Sequence, residues 1–291
     1  MTPHKSTRLK SLIHDKQLLV MPAVYDAMSA RVAARAGFQA IQCGGLSIAA
    51  SLGYPDLGIV TMTEMVHSTR LICRAVPLPV MADADDGYGN ALNAWRTVKE
   101  FAEAGAAGVN LEDQTFPKRC GEMSGISLVP VAQMVEKIQA ARDAGGHEDF
   151  VINARTDALA EYGLDETIKR GAAYLEAGAT MCFVSGVKNV EQIKAMVAGL
   201  PGPLALNMAE EPGGLCEQVT FAELEALGVA RVSLSLTPML ASIKGMTKAL
   251  SLIARQGYTR CDPDLLASFE ELRQLSGQEE YLSRMGINDW R

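Results

Sequence analysis

Three acidic residues follow two neighbouring apolar segments: Asp83 and Asp85 come after the first segment, and Glu112 after the second. Carboxylates brought together repel one another unless a cation neutralises them. Mg²⁺ fits such a set, because it prefers hard oxygen ligands and keeps positions open for water and a chelating substrate. Mn²⁺ accepts similar ligands. A helix N-cap role would explain Asp86 or Asp157 but not the three acids together. The sequence therefore predicts a magnesium site.

The segment 116–125 places two cations beside a thiol, because Lys118 and Arg119 precede Cys120. Nearby positive charge lowers the pKa of a thiol and prepares it to act as an acid or a base. Two glycines in the segment permit a loop that opens and closes over a site. The alternative is an ordinary solvated Lys-Arg pair.

Small and polar residues follow other apolar segments and are candidates for substrate binding: Cys43, Gly44, Gly45, Arg155, Asn207 and Ser235. The backbone N–H groups of Cys43-Gly44-Gly45 could bind a carboxylate or an oxyanion. The alternative for these three residues is a simple glycine turn.

Eight short apolar runs alternate with amphipathic stretches along most of the chain. The predicted strands are 18–23, 40–44, 80–83, 108–111, 150–154, 180–184, 204–208 and 231–236. The predicted helices between and after them are 27–36, 63–74, 91–104, 131–144, 165–177, 190–198, 221–226 and 238–255. Apolar strands separated by helices indicate a parallel sheet that is buried on both faces. Eight such units in order predict an α/β fold, a (β/α)₈ TIM-type barrel.

A doubly wound open sheet is the alternative fold, but no GxGxxG follows the first strand. In a barrel, catalytic residues lie on the loops after the C-terminal ends of the strands, where the polar residues above are found. We expect a single barrel domain over residues 1–291, with a helical extension at about 262–291 that contains helices 265–275 and 279–285.

The composition excludes several other classes of protein. The net charge is −7 and no Lys/Arg run occurs, which argues against a nucleic-acid partner. No apolar stretch approaches the ~20 residues that span a bilayer, so no membrane association is expected. The six cysteines are scattered, as is typical of reduced thiols in a cytoplasmic protein. The four histidines are isolated and none lies at a strand end, which argues against zinc.

The polar motifs occur in an order that resembles the isocitrate lyase/phosphoenolpyruvate mutase superfamily, and most closely its 2-methylisocitrate lyase and 2,3-dimethylmalate lyase branch. The resemblance covers about residues 20–255, and its Lys-Arg-Cys-Gly loop is specific to the lyase branch. The matching segments are Tyr25-Asp26-Ala27-x-Ser29-Ala30, Gly53-x-Pro55-Asp56, Asp83-Ala-Asp85-x-Gly87-Tyr88-Gly89-Asn90, Glu112-Asp113-Gln114, Pro117-Lys118-Arg119-Cys120-Gly121 and Ala154-Arg155-Thr156-Asp157.

The resemblance implies how a metal and a substrate would be bound. Asp85, with Asp83 and Glu112 largely through water, would hold Mg²⁺. The metal would chelate a carboxylate of the substrate and its adjacent 2-oxygen. Arg155 would pair with a carboxylate, and the amides of residues 43–45 would bind a carboxylate or the 2-oxygen.

The resemblance also implies a reaction and an assembly. Asp56 would lie near the reacting centre. The loop that contains Cys120 would close over the substrate, and its thiol would handle the proton on the departing carbon fragment. The reaction would be a carbon–carbon cleavage through a metal-stabilised enolate. The protein would be a homotetramer, a dimer of dimers, whose C-terminal helix swaps between subunits.

Four residues depart from the pattern of lyases that cleave branched tricarboxylates. Cys43 replaces a Ser, Glu122 a His, Ser185 a Glu and Ala209 a Thr. A carboxylate without its donors loses on the order of several kcal/mol of charge-assisted hydrogen bonding. These changes argue against strict specificity for 2-methylisocitrate.

Four functions follow from these observations. The leading hypothesis is a Mg²⁺-dependent carbon–carbon lyase that acts on a small 2-hydroxy di- or tricarboxylate. The second is a decarboxylase or hydrolase of oxaloacetate or a related 2-oxo acid, which would need fewer contacts. The third is a phosphonopyruvate-type phosphonomutase, and the fourth a non-catalytic barrel that binds a metabolite.

Overall fold

In the computed structural model, eight parallel strands close into a barrel in which each strand pairs with the next and the last pairs with the first. The structure describes residues 3–121, 123, 125–208, 210, 214–257 and 265–286. The strands are β1 Leu19–Val24, β2 Ile41–Cys43, β3 Val80–Asp83, β4 Gly108–Glu112, β5 Val151–Thr156, β6 Met181–Val184, β7 Leu204–Asn207 and β8 Arg231–Leu234. The predicted barrel and its eight strands are confirmed, with ends that differ by one or two residues.

Helices lie before, between and after the strands along the chain. They are α1 Lys5–Ile13, α2 Ala27–Arg35, α3 Gly45–Ser51, α4 Met62–Ala75, α5 Ala91–Glu103, α6 Val131–Ala144, α7 Ala158–Glu176, α8 Val190–Gly199, α9 Phe221–Ala226, α10 Thr237–Gln256, α11 Phe269–Ser276 and α12 Gln278–Arg284. A short 3₁₀ helix, Leu215–Glu217, precedes α9.

Four helices differ from the sequence prediction. The prediction missed α1 and α3, which are short. It began α7 at residue 165, whereas α7 starts at Ala158 and continues across Gly163, whose φ of 82° interrupts the helical backbone. It began α11 at residue 265, but Ser268 caps this helix in a reciprocal hydrogen-bonded box with Glu271, so the helix starts at Phe269.

The barrel interior is mostly apolar near the N-terminal ends of the strands. Its buried side chains there include Met21, Met81 and Met181, and they form one cluster with Leu9 and Ile13 of α1. Helix α1 therefore packs against the strand starts and covers this end of the barrel. Burial of this apolar surface supplies the main driving force for closure of the barrel.

The chain divides into two compact units, Met1–Thr237 and Pro238–Arg291. The first unit contains the barrel. In the second, the apolar side chains Leu240, Ile243, Met246 and Leu250 of α10 are each more than 40% exposed. The single-domain organisation with an extension at 262–291 stays a prediction. No helix among the described residues is long and apolar enough to span a membrane.

Candidate active site

A cavity of about 90 Å³ opens at the C-terminal ends of the strands. Ten of the thirteen predicted site residues line it: Cys43, Gly44, Gly45, Asp56, Asp83, Lys118, Cys120, Arg155, Asn207 and Ser235. The other three, Asp85, Glu112 and Arg119, do not. The fold thus brings together residues that are up to about 190 positions apart, because parallel strands present their loops at one end of the barrel.

Asp83, the last residue of β3, is the acid of the predicted metal set that faces the cavity. Its Oδ2 accepts a hydrogen bond of 3.1 Å from the Gly45 amide, and its Oδ1 accepts one of 3.4 Å from the Asp85 amide. Burial raises the pKa of Asp83 to about 6, and the neighbouring charge of Asp85 adds to this effect. A cation in the cavity would therefore stabilise the ionised form of this carboxylate.

The loop after β3 has a strained backbone. Asp85 and Tyr88 adopt φ angles of 44° and 58°, in a backbone region that residues other than Gly rarely occupy. The Tyr88 hydroxyl donates to Asp85 Oδ2 at 3.2 Å, and the buried Lys137 of α6 donates to the Asp86 carbonyl oxygen at 2.7 Å. These contacts fix the loop in the conformation that presents its carboxylates.

Lys118 connects the loop after β4 to two acids. Its Nζ lies 2.5 Å from Asp56 Oδ1 and 2.7 Å from Asp85 Oδ1. Burial alone would lower the pKa of Lys118, but the carboxylates of Asp85, Glu112 and Asp56 raise it above its usual value. Lys118 is therefore a permanent cation, and it offsets part of the acidic charge.

Arg155 lies directly opposite Glu112 in the register of β4 and β5. Its guanidinium contacts Glu112 Oε2 at 3.2 Å and holds Asp157 through two nitrogens, at 2.8 Å to Oδ1 and 3.0 Å to Oδ2. Burial raises the pKa of Glu112 well above its usual value, although Arg155 and Lys118 oppose this shift. Arg155 is thus held rigidly at the cavity wall, where it can pair with a substrate carboxylate.

A buried network behind Arg155 was not predicted from the sequence. Asp113 accepts hydrogen bonds from Tyr174 at 2.8 Å, from Thr156 at 2.8 Å and from the Asp157 amide at 3.2 Å, and it pairs with Arg170 at 3.2 Å. Asp113 and Thr156 belong to the motifs quoted above. Arg170 and Tyr174 lie four residues apart on α7, and this spacing was the only available signal for them.

Gln114 positions the loop that contains Cys120. Its side chain donates to the Arg119 carbonyl oxygen and accepts from the Arg119 amide, both at 2.9 Å. Gly121, which follows Cys120, lies so close to Arg155, Ser185 and Asp157 that a methyl group on it would overlap them. The loop is therefore closed over the cavity, and Cys120 lines it. Glu122, one of the four departures noted above, lies outside the described residues.

Among the residues that the structure describes, the remaining walls of the cavity are uncharged. Asn207 and Ser235 are hydrogen-bonded to each other, and Ser233 donates to Gln42 at 3.2 Å. The amides of Gly44 and Gly45 donate to the Val24 carbonyl oxygen and to Asp83, so each already has an intramolecular acceptor. Burial raises the pKa of the Cys43 thiol, which keeps it neutral. Ser185 lines the cavity, whereas Ala209 lies outside the described residues.

The donor atoms suit a magnesium ion that is bound partly through water. Glu112 Oε1 is buried and has no hydrogen-bond partner among the described residues. No three His, Cys, Asp or Glu side chains in this part of the chain converge closely enough to hold a metal directly. Mg²⁺ keeps several waters and binds through one or two carboxylates, so Asp83, Asp85 and Glu112 fit this ion and also Mn²⁺.

Comparison with known proteins decides the family. The sequence profile described as phosphoenolpyruvate phosphomutase matches residues 9–254. The chain belongs to this family. It is 40% identical to the 2,3-dimethylmalate lyase of Eubacterium barkeri over 276 residues, which covers 94% of this chain and 95% of the relative. The superfamily predicted from the ordered motifs is thereby confirmed.

Solved structures of this family have the same fold. Oxaloacetate acetylhydrolase in complex with 3,3-difluorooxalacetate superposes with a TM-score of 0.91 at 31% identity, over 99% of this chain and 98% of that one. Phosphonopyruvate hydrolase with oxalate and Mg²⁺ superposes with a TM-score of 0.88 at 32% identity, over 98% and 99% of the two chains. The chain is an enzyme of a superfamily that contains carbon–carbon lyases, hydrolases and mutases.

Proposed function

We propose that this enzyme is a Mg²⁺-dependent lyase that cleaves the C2–C3 bond of a small 2-hydroxy dicarboxylate. One observation carries the proposal: Cys120, Asp83 and Arg155 line a single cavity of about 90 Å³. That cavity therefore holds a thiol for proton transfer, a carboxylate for a metal and a guanidinium for a substrate carboxylate. The 40% identity to a 2,3-dimethylmalate lyase supports the same reaction class.

We assign the metal to Asp83, Asp85 and Glu112, largely through water. When bound, Mg²⁺ polarises the 2-oxygen and the adjacent carboxylate of the substrate. Arg155, held by Asp157 and Glu112, orients a carboxylate by charge-assisted hydrogen bonds. The closed loop excludes water, which strengthens these interactions.

The bond changes are those of a retro-aldol reaction. The 2-hydroxyl proton passes to Asp56, which lines the cavity. The electron pair of that O–H bond forms the C2=O double bond, the C2–C3 bond breaks, and its pair moves onto C3 and the attached carboxylate. Cys120 then donates the thiol proton to C3. The products are a 2-oxo acid and a second carboxylate. Asp56 then releases its proton to solvent, and the Cys120 thiolate takes up a proton from solvent.

The uncharged walls favour a small substituent on the substrate. Ser185, Asn207 and Ser235 offer hydroxyl and amide groups but no cation, so a third carboxylate would lack a charged partner there. A substrate with methyl or hydrogen substituents fits these walls better than a tricarboxylate does.

Hydrolysis of a 2-oxo diacid such as oxaloacetate is the second candidate function. Oxaloacetate acetylhydrolase has the same fold, with a TM-score of 0.91 at 31% identity, so the fold also accommodates this reaction. The hydrated form of a 2-oxo acid also carries a 2-hydroxyl, so the same groups would break the same bond. The products would then be two carboxylates rather than a 2-oxo acid and a carboxylate.

Product analysis separates these reactions. The enzyme is incubated with Mg²⁺ and a panel of 2-hydroxy and 2-oxo diacids, and the products are identified by NMR. We expect a 2-oxo acid from a 2-hydroxy diacid, and kcat about 10²–10⁴-fold lower in Cys120→Ser. Cys216→Ser, at an exposed cysteine, is the matched control. Oxalate and acetate from oxaloacetate would favour the hydrolase, and CO₂ release unaffected by Cys120→Ser would contradict both.

We also propose a cytoplasmic homotetramer. Cys43, Cys73 and Cys182 are free thiols, as expected in a reducing compartment. The exposed apolar side chains of α10 would be buried by exchange of C-terminal helices between subunits. Light scattering after size-exclusion chromatography would detect a mass of four chains, and a monomer would contradict the proposal.

A further inference from the structure

Arg231, the first residue of β8, is a fully buried cation that has no ion-pair partner in the part of the chain that the structure describes. Its guanidinium is 0% exposed, and neither Nη1 nor Nη2 has a hydrogen-bond partner among the described residues. Its Nε donates to Met21 Sδ at 3.3 Å. The other buried arginines of the site are paired, Arg155 with Asp157 and Arg170 with Asp113.

Burying such a group is costly to the fold. A buried charge without a partner loses its hydration and gains no ion pair in return, so an apolar side chain of similar size would suit the core better. Burial lowers the pKa of Arg231 to about 9, and the negative charge of Asp83 opposes this shift. Arg231 therefore still carries its charge at neutral pH, and burial of that charge without an ion pair is costly to the fold.

Arg231 lies close to the floor of the cavity. Its guanidinium carbon is 5.6 Å from the centre of the Phe183 ring, and that of Arg155 is 5.5 Å from the same ring. Phe183 and Ser233, which is two residues further along β8, both line the cavity. In the low dielectric of the barrel interior, the charge of Arg231 therefore acts on whatever occupies the cavity.

The balance of charge around the cavity gives this cation a role. Among the described residues, two cations, Lys118 and Arg155, lie next to five acidic side chains: Asp56, Asp83, Asp85, Glu112 and Asp157. Burial favours the neutral form of Asp83 and Glu112, but a bound metal would favour the ionised form of all five. A divalent metal would still leave one excess negative charge, which would repel an anionic substrate. Arg231 cancels that excess.

We propose that Arg231 is a positioning residue whose unpaired charge beneath Phe183 holds the anionic substrate in the cavity against its acidic walls. This inference rests on the proposed function, since it assumes a carboxylate ligand on a divalent metal. A positive charge attracts a dianion and repels a divalent cation. Removal of the charge should therefore weaken oxalate binding without weakening Mg²⁺ binding, whereas structural damage would weaken both.

The test uses titration calorimetry on the full chain, with Mg²⁺ alone and with oxalate at saturating Mg²⁺. In Arg231→Met we expect oxalate binding to weaken about tenfold and Mg²⁺ binding to be unchanged or tighter. Oxamate, which carries one charge fewer than oxalate, should lose less affinity. Arg231→Lys should retain oxalate affinity within about threefold. The urea midpoint of Arg231→Met should equal or exceed that of the wild type, whereas that of the control Arg170→Met should fall.

Three results would overturn the inference: unchanged oxalate affinity in Arg231→Met, weakening of both probes, or a lower urea midpoint. A wild-type enzyme that binds no oxalate with Mg²⁺ would refute the proposed function instead. The urea midpoints would then still show whether the charge of Arg231 stabilises the folded protein. A midpoint of Arg231→Met below that of the wild type would refute the inference as well, and an equal or higher one would support a role in binding.

Discussion

The two halves of the barrel end differ in their chemistry. The ends of β3, β4 and β5 carry Asp83, Glu112 and Arg155, and these charged side chains are held by further buried ion pairs and hydrogen bonds. The ends of β6, β7 and β8 carry Ser185, Asn207 and Ser235, which are small or uncharged. We call these the charged half and the neutral half.

The difference separates two tasks within one cavity. Charged groups in a low-dielectric site need partners that fix them, which explains why Asp113, Lys137 and Gln114 surround the charged half. Uncharged groups need no such support and can vary at little cost. We infer that the charged half carries the reaction on the 2-oxygen and its carboxylate, and that the neutral half selects the rest of the substrate.

The largest expected effect comes from the charged half. Asp83→Asn removes the one acid of the metal set that faces the cavity. Metal-dependent oxalate binding should become undetectable by calorimetry, and kcat/KM should fall by about 10³-fold or more. Asp149→Asn, at an acid paired with Lys10 outside the cavity, is the matched control. Full activity in Asp83→Asn would remove the distinction between the halves.

The second-largest effect is expected from Gln114, which holds the loop next to the charged half in place. Gln114→Leu leaves the Arg119 amide and carbonyl without their partner, so the loop should close less often over the substrate. We expect kcat to fall about 10²-fold while oxalate affinity changes by less than about threefold. Steady-state kinetics would show this separation. Thr115→Ala removes a different hydrogen bond of the same loop and serves as control; an equal loss in both variants would indicate general loop damage.

The positions of the charged residues could be predicted from the sequence, because strand ends in a barrel converge whatever the details of packing. The supporting residues could not. Arg170 and Tyr174 are 57 and 61 residues away from Asp113, and the packing of α7 against β5 and β6 brings them together. The unpaired state of Arg231 among the described residues could not be predicted either, since a sequence does not reveal which buried charges lack a counterion.

The neutral half was harder to interpret. Ser185 could be recognised as a departure from the lyase pattern, but its position beside Gly121 depends on the closed loop. The predicted roles of the Gly44 and Gly45 amides illustrate a further limit. The sequence shows where N–H groups are, whereas the structure shows that these two donate to Val24 and Asp83.

A smaller effect is expected from pH. The pKa of Asp83 is raised to about 6, mainly by burial, so this carboxyl takes up a proton as the pH falls through that value. Protons then compete with the metal, and Mg²⁺ affinity should fall by up to about tenfold per pH unit below pH 6. In the apoprotein, the effect of pH on stability has the opposite sign to its effect on Mg²⁺ affinity. Because the pKa is raised above its unfolded value, Asp83 contributes to stability at low pH, and that contribution is lost as the pH rises through about 6.

Calorimetry between pH 5 and 8 would measure the Mg²⁺ affinity, and urea titration of the apoprotein would measure the stability. Asp83→Asn should abolish the pH dependence that arises from this carboxyl. A flat Mg²⁺ affinity across this range would assign metal binding to other groups and weaken the case for the charged half.

The smallest expected effect is in the neutral half. Asn207→Ala removes the partner of Ser235 but no charge, so the change costs about one ordinary hydrogen bond, or ~1 kcal/mol. We expect the ratio of kcat/KM values for two differently substituted 2-hydroxy diacids to change by about fivefold. Oxalate affinity should stay within about twofold, because oxalate has no substituent that could reach this wall. A loss of oxalate affinity equal to the loss of kcat/KM would place Asn207 in the same functional group as Asp83 and Arg155. The separation of the two halves would then be wrong.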